Sequence, residues 1–121
     1  MKLATMILQN AIRVLALILI VLGFQFWVGH NYQFVGWHMR LGELTILLLW
    51  ILAWLALRAG VRQKTVLLAI VYGFFVVLFA MYMGRLLPGK AHEAIRVTHF
   101  LLGLGAVGFA ESLGARIKRG V

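Results

Sequence analysis

Trp37-His38-Met39-Arg40-Leu41-Gly42-Glu43-Leu44-Thr45-Ile46-Leu47-Leu48-Leu49-Trp50-Ile51-Leu52-Ala53-Trp54-Leu55-Ala56-Leu57 is apolar through all but its first two turns. It has the length that crosses a bilayer as a helix, about 20 residues. Three further segments read the same way, at about 14–28, 65–83 and 94–115. The chain is 64% hydrophobic, with three Asp or Glu against twelve Lys or Arg, and such a composition leaves too little polar surface to cover a water-soluble core. The expectation is therefore an all-α integral membrane protein, residues 1–121 forming a single transmembrane domain. Short links force neighbouring helices to alternate in direction, which predicts an up-down four-helix bundle.

The first segment admits two readings. Met1 to Gln9 either continues straight into it or lies along the interface, with a break around Asn10 to Arg13. The bulky run Gly23-Phe24-Gln25-Phe26-Trp27 offers no small-residue cleavage site, so a removable signal peptide is not expected. With no Cys, neither a lipoprotein anchor, disulfides, iron–sulfur clusters nor thiol redox chemistry is expected.

The net charge of +9 could point to nucleic acid, but the positive residues stand at the ends of apolar runs. Their ordinary work there is to fix topology and meet anionic lipid head groups, so no nucleic-acid partner is expected. Lys2, Arg13, Arg58, Arg62, Lys64, Arg116, Lys118 and Arg119 fall on one side, against Arg40, Arg85, Lys90 and Arg96 on the other. The excess predicts a multi-pass protein of the cell (inner) membrane with both termini cytoplasmic. Trp27, Tyr32, Trp37 and Tyr82 then suit an aromatic belt at the outer interface. All four histidines, His30, His38, His92 and His99, lie toward the same face.

Two of these histidines share a local frame: His38-Met39-Arg40-Leu41-Gly42 and His99-Phe100-Leu101-Leu102-Gly103. Residues four apart share a helix face, so each imidazole has bare backbone one turn beneath it, at Gly42 and Gly103. Measured from Arg58 and Arg116 at about 1.5 Å per residue, the two imidazoles stand roughly 30 and roughly 26 Å above the cytoplasmic charges. Level imidazoles on the second and fourth helices, diagonal across a bundle, are what six-coordinate haem b requires; His38 and His99 are its candidate iron ligands. Arg40 and Arg96 lie near the same depth and suit the propionates. Gly105 and Gly108 add room for close approach, Phe100 would keep the iron dry, and Thr45 and Thr98 could orient an imidazole through its second nitrogen.

The run His38-x-x-Leu41-Gly42 leading to Arg58 resembles a helix of the bacterial cytochrome b561 type, the likeness covering the second helix and, more loosely, the fourth. Those proteins are four-helix membrane cytochromes whose bis-histidine b haems pass electrons to or from quinones. The resemblance implies axial roles for His38 and His99. Many such proteins carry haems on both sides of the membrane, whereas this chain has no His toward the cytoplasmic half, so one haem is expected.

The remaining polar residues have plainer readings. Glu43, inside an apolar helix, either pairs with Arg40 or Arg96 or relays a proton to a quinone. Glu111 is expected to pair with a residue such as Arg116, and Glu93 to sit at the start of the fourth helix, where its charge suits the dipole. Pro88-Gly89 marks the preceding turn. His30 and His92 are expected to satisfy loop carbonyls; Met39, Met81 and Met83 to pack; Trp50 and Trp54 to face lipid or a partner. Two rival functions stay open: a copper- or zinc-handling membrane protein, and an accessory subunit, pigment-binding or not, of a respiratory or photosynthetic complex. Partners would then be the lipid bilayer, a quinone, and other membrane subunits or further copies of the chain. A small transporter would need a charge midway along the first helix, which holds only if Arg13 lies deep.

Overall fold

A computed structural model describes residues 1–120. The protein is all-helical: α1 spans Lys2–Trp27, α2 Val35–Arg58, α3 Gln63–Tyr82 and α4 His92–Arg119, joined through short 3-10 turns at Tyr32–Phe34, Met83–Arg85 and Gly89–Ala91. All four helices are long and apolar enough to cross a membrane. α1 runs unbroken through Asn10 to Arg13, so Met1 to Gln9 continues the span instead of turning aside. This places Arg13 well inside the helix.

α1 and α2 end by the same device. The amide of His30 reaches the Gln25 carbonyl and that of Gly29 the Phe26 carbonyl, at 2.8 and 3.1 Å. After α2, Val61 reaches Ala56 and Gly60 reaches Leu57, at 3.0 and 3.1 Å. Such a closure needs a left-handed residue after the helix, and Gly29 (φ +86) and Gly60 (φ +91) supply it without a Cβ penalty.

α2 and α4 pack against each other and each also packs against both α1 and α3, so they form the short diagonal of the bundle. The core is made of Ile12, Ile46, Leu49, Leu52, Val66, Ala69, Ala106, Ala110, Leu113 and Ile117 with their neighbours. Small residues let large ones in at three crossings. The Trp50 indole lies over Gly73 and donates to the Ile70 carbonyl at 3.2 Å. Tyr72 lies over Gly105 and donates to the Leu102 carbonyl at 2.6 Å, and Gln9 lies over Gly114. Trp50 therefore faces α3, contrary to the expectation that it faces lipid; Trp54, one turn on, is 55% exposed. The outward faces carry the apolar side chains: Leu67, Leu68, Phe74 and Phe75 are each more than half exposed. That polarity is the reverse of a soluble bundle and matches a hydrocarbon solvent.

Candidate functional site

Near the α1–α2 turn, each of the four helices contributes one ring to a single layer. Phe26 of α1 meets His38 of α2 edge-on, with centroids 5.4 Å apart. His38 stands 6.3 Å from His99 of α4, and Phe79 of α3 stacks on His99 at 6.4 Å with only 10° between planes. The two imidazoles thus occupy the middle of the row and the phenyl rings close its ends. Gly23 of α1 lies beside His38: a Cβ there would sit in ordinary van der Waals contact with its Cε1, at 3.5 Å.

Both imidazoles are half-buried, and the Nδ1 atoms of both are buried without any hydrogen-bond partner. A buried polar nitrogen lacking a partner costs about 1–3 kcal/mol, so two side by side demand an explanation. The spacing offers one. A first-row metal ion sits about 2 Å from each ligating imidazole nitrogen, so two rings sharing one ion have centres about 6 Å apart. The observed 6.3 Å meets that requirement.

One turn inward, a Cβ added to Gly42 or to Gly103 would meet no atom within 4 Å. No protein neighbour accounts for glycine at either place. Gly42 is partly buried under His38, while Gly103 opens to the surface. The donor set is thus two neutral imidazoles side by side, at a spacing that one shared metal ion would also give.

The surrounding residues are placed as follows. Arg40 is 3.4 Å from Glu43 within α2 and Arg96 is 3.1 Å from Glu93 within α4, both pairs exposed. The Trp27 indole donates to the second oxygen of Glu93 at 3.0 Å, which ties the end of α1 to the first turn of α4. Glu43 thus pairs with Arg40, one of the two arginines expected for it. His92 Nδ1 lies 3.1 Å from the Leu86 carbonyl, a loop contact of the kind expected. His30 is exposed and stands apart from the ring layer.

Three expectations need correction. Thr45 and Thr98 do not orient the imidazoles: their hydroxyls donate to the carbonyls of Leu41 and Ala94 one turn back, at 2.8 and 2.7 Å. Phe100 does not pack on the imidazoles; it is 42% exposed, and Phe26 and Phe79 flank them instead. Glu111 does not pair with Arg116, which instead reaches Ser112. It takes a bidentate ion pair from Arg13 of α1, at 2.6 and 2.7 Å.

Among the described residues, no group of three or more His, Asp or Glu side chains converges. A zinc-type centre with three protein ligands would need one. Comparison with protein-family models, with curated proteins and with solved structures finds no match.

Proposed function

We propose that the chain is a membrane b-type cytochrome that carries electrons through one haem held between His38 and His99. The observation that carries this reading is the pair of imidazoles, 6.3 Å apart on opposite helices, each with a buried nitrogen that lacks a partner. In this reading the four helices span the cell membrane up and down. Both termini lie on the cytoplasmic side with Lys2, Arg58, Arg62, Lys64, Arg116, Lys118 and Arg119, and the ring layer lies near the outer face.

Haem bound there supplies reversible one-electron transfer. The residues of the chain do the rest. His38 and His99 would hold the iron from α2 and α4. Phe26 and Phe79 close the two ends of the row and keep water from the imidazoles. Gly42 and Gly103, one turn on from each imidazole, would leave room for the macrocycle. Arg40 and Arg96, each paired with a carboxylate of its own helix, would supply fork-shaped donors for the propionates. Glu43, exposed beside Arg40, is placed to accept or release a proton when a quinone or an external redox partner exchanges electrons at that end.

Optical spectra of protein purified from haem-replete cells test this. The expected result is a sharp Soret band with split α and β bands on dithionite reduction, and no shift on adding carbon monoxide. Protein that shows no such bands, either as purified or after incubation with haemin, overturns the reading.

A further inference from the structure

Outward of the imidazole layer the bundle has little apolar packing to hold it, since Ile95 is the one apolar residue buried there. Among the described residues, a single side-chain hydrogen bond joins two helices in that outer part, from the Trp27 indole to Glu93 at 3.0 Å. Trp27 is the last residue of α1, and Glu93 lies in the first turn of α4. Glu93 uses both of its oxygens: Oε2 takes the indole and Oε1 takes Arg96 at 3.1 Å. The ion pair with Arg96 steadies the carboxylate on its own helix, so the oxygen offered to α1 is already aimed.

What α1 carries beside Trp27 gives this contact its meaning. Phe26, the preceding residue, meets His38 edge-on with centroids 5.4 Å apart and stacks on Tyr32 at 6.3 Å. The last turn of a helix has carbonyls without helical partners and frays first. Here the amides of Gly29 and His30 close it from the chain side, through Phe26 and Gln25. Glu93 closes it from the side of α4. The cover of His99 is Phe79 of α3, an element to which Glu93 makes no hydrogen bond.

We infer that Glu93 is a positioning residue for the imidazole pair: by holding Trp27 it keeps the end of α1, and with it Phe26, against His38. The inference rests on reading the ring layer as the working site, and not on what fills that layer. Both partners are exposed, where a charge-assisted hydrogen bond competes with water, so the hold is worth a few-fold and not orders of magnitude. Its loss should uncover His38 while leaving His99 under Phe79.

Carbethoxylation by diethyl pyrocarbonate, followed at each histidine by mass spectrometry, tests this in haem-free full-length protein in mixed micelles. Trp27→Phe removes the indole N–H and keeps an aromatic ring in place; Glu93→Ala removes the acceptor. Each should speed reaction at His38 by about threefold to fivefold, with His99 changing less, exposed His30 unchanged and helical circular dichroism unchanged. In the double variant Trp27→Phe should add nothing to Glu93→Ala, because both remove the same bond. If Glu93→Ala fails to fold, Trp27→Phe carries the test alone. A His38 rate in Trp27→Phe equal to the parent's, a rise shared by all four histidines, or effects that multiply in the double variant overturn the inference. Added haemin separates it from the haem reading: a parent without a Soret band overturns that reading and leaves the histidine rates to be judged by themselves. Where the band forms, Trp27→Phe should also pass its haem to apomyoglobin about threefold faster.

Discussion

The inner and outer parts of the bundle are built on different terms. Inward of the ring layer, the chain buries Ile12, Ile46, Leu49, Leu52, Ala53, Ala69, Ala110 and Leu113 almost completely. Its large polar rings find partners there: Trp50 reaches Ile70 and Tyr72 reaches Leu102. Gln9 is the exception, with Oε1 unpaired. Outward of the imidazoles, Ile95 alone among the apolar residues is buried. The layer itself has half-buried rings, two orphaned nitrogens and glycines against open space. A chain able to pack one part so closely has the means to pack the other. The loose layer is therefore read as a seat for something else, and the tight part as the frame that holds α2 and α4 at the right separation.

The sharpest way to break this contrast is to remove one ring of the pair. His38→Ala or His99→Ala should abolish the six-coordinate low-spin spectrum outright, while helical circular dichroism stays within error of the parent. Loss of helix in step with the spectrum would mean that the two histidines belong to the frame. The converse substitution lies in the tight part. Leu52, fully buried, should cost about 2–5 kcal/mol as Leu52→Ala, read from denaturation in mixed micelles. The absorption maxima of the folded fraction should not move.

The two parts were not equally legible in the sequence. Length and apolar run specify four helices because the bilayer allows few other solutions for so hydrophobic a chain. The repeated His and Gly spacing singled out His38 and His99, whose rings lie 6.3 Å apart. What the sequence hid were contacts between helices. Arg116 looked a natural partner for Glu111, yet five residues at 100° each put the two on faces roughly 140° apart, and the pair forms with Arg13 of another helix instead. Thr45 and Thr98 were misjudged because a helical hydroxyl finds the carbonyl one turn back before it finds any neighbouring side chain. Phe26 and Phe79, the real flanks of the site, carried no signal among eight phenylalanines. Only the three-dimensional layer distinguishes them.

Smaller effects sharpen the same comparison. Filling the open space under His38 with Gly42→Leu should weaken haem retention by about tenfold, equivalent to about 1.4 kcal/mol, without lowering the stability of the haem-free protein. A large loss of stability instead would show that Gly42 serves helix packing. Tyr72→Phe removes one donor from the tight part and should cost about 1 kcal/mol, with the Soret band unchanged.

The smallest effect belongs to a histidine in the outer part that the ring layer does not use. His92 bonds a loop carbonyl at the mouth of α4, half-buried but outside the ring layer. His92→Ala should leave the haem spectrum as it is and move the unfolding midpoint little, since it removes one loop hydrogen bond worth about 0.5–1 kcal/mol. The comparison has force because His92 and His99 differ by only two helical turns on one element. If His92→Ala erased the spectrum while His38→Ala preserved it, ligation would follow proximity to the outer surface. The buried pair would then be a packing feature of the frame.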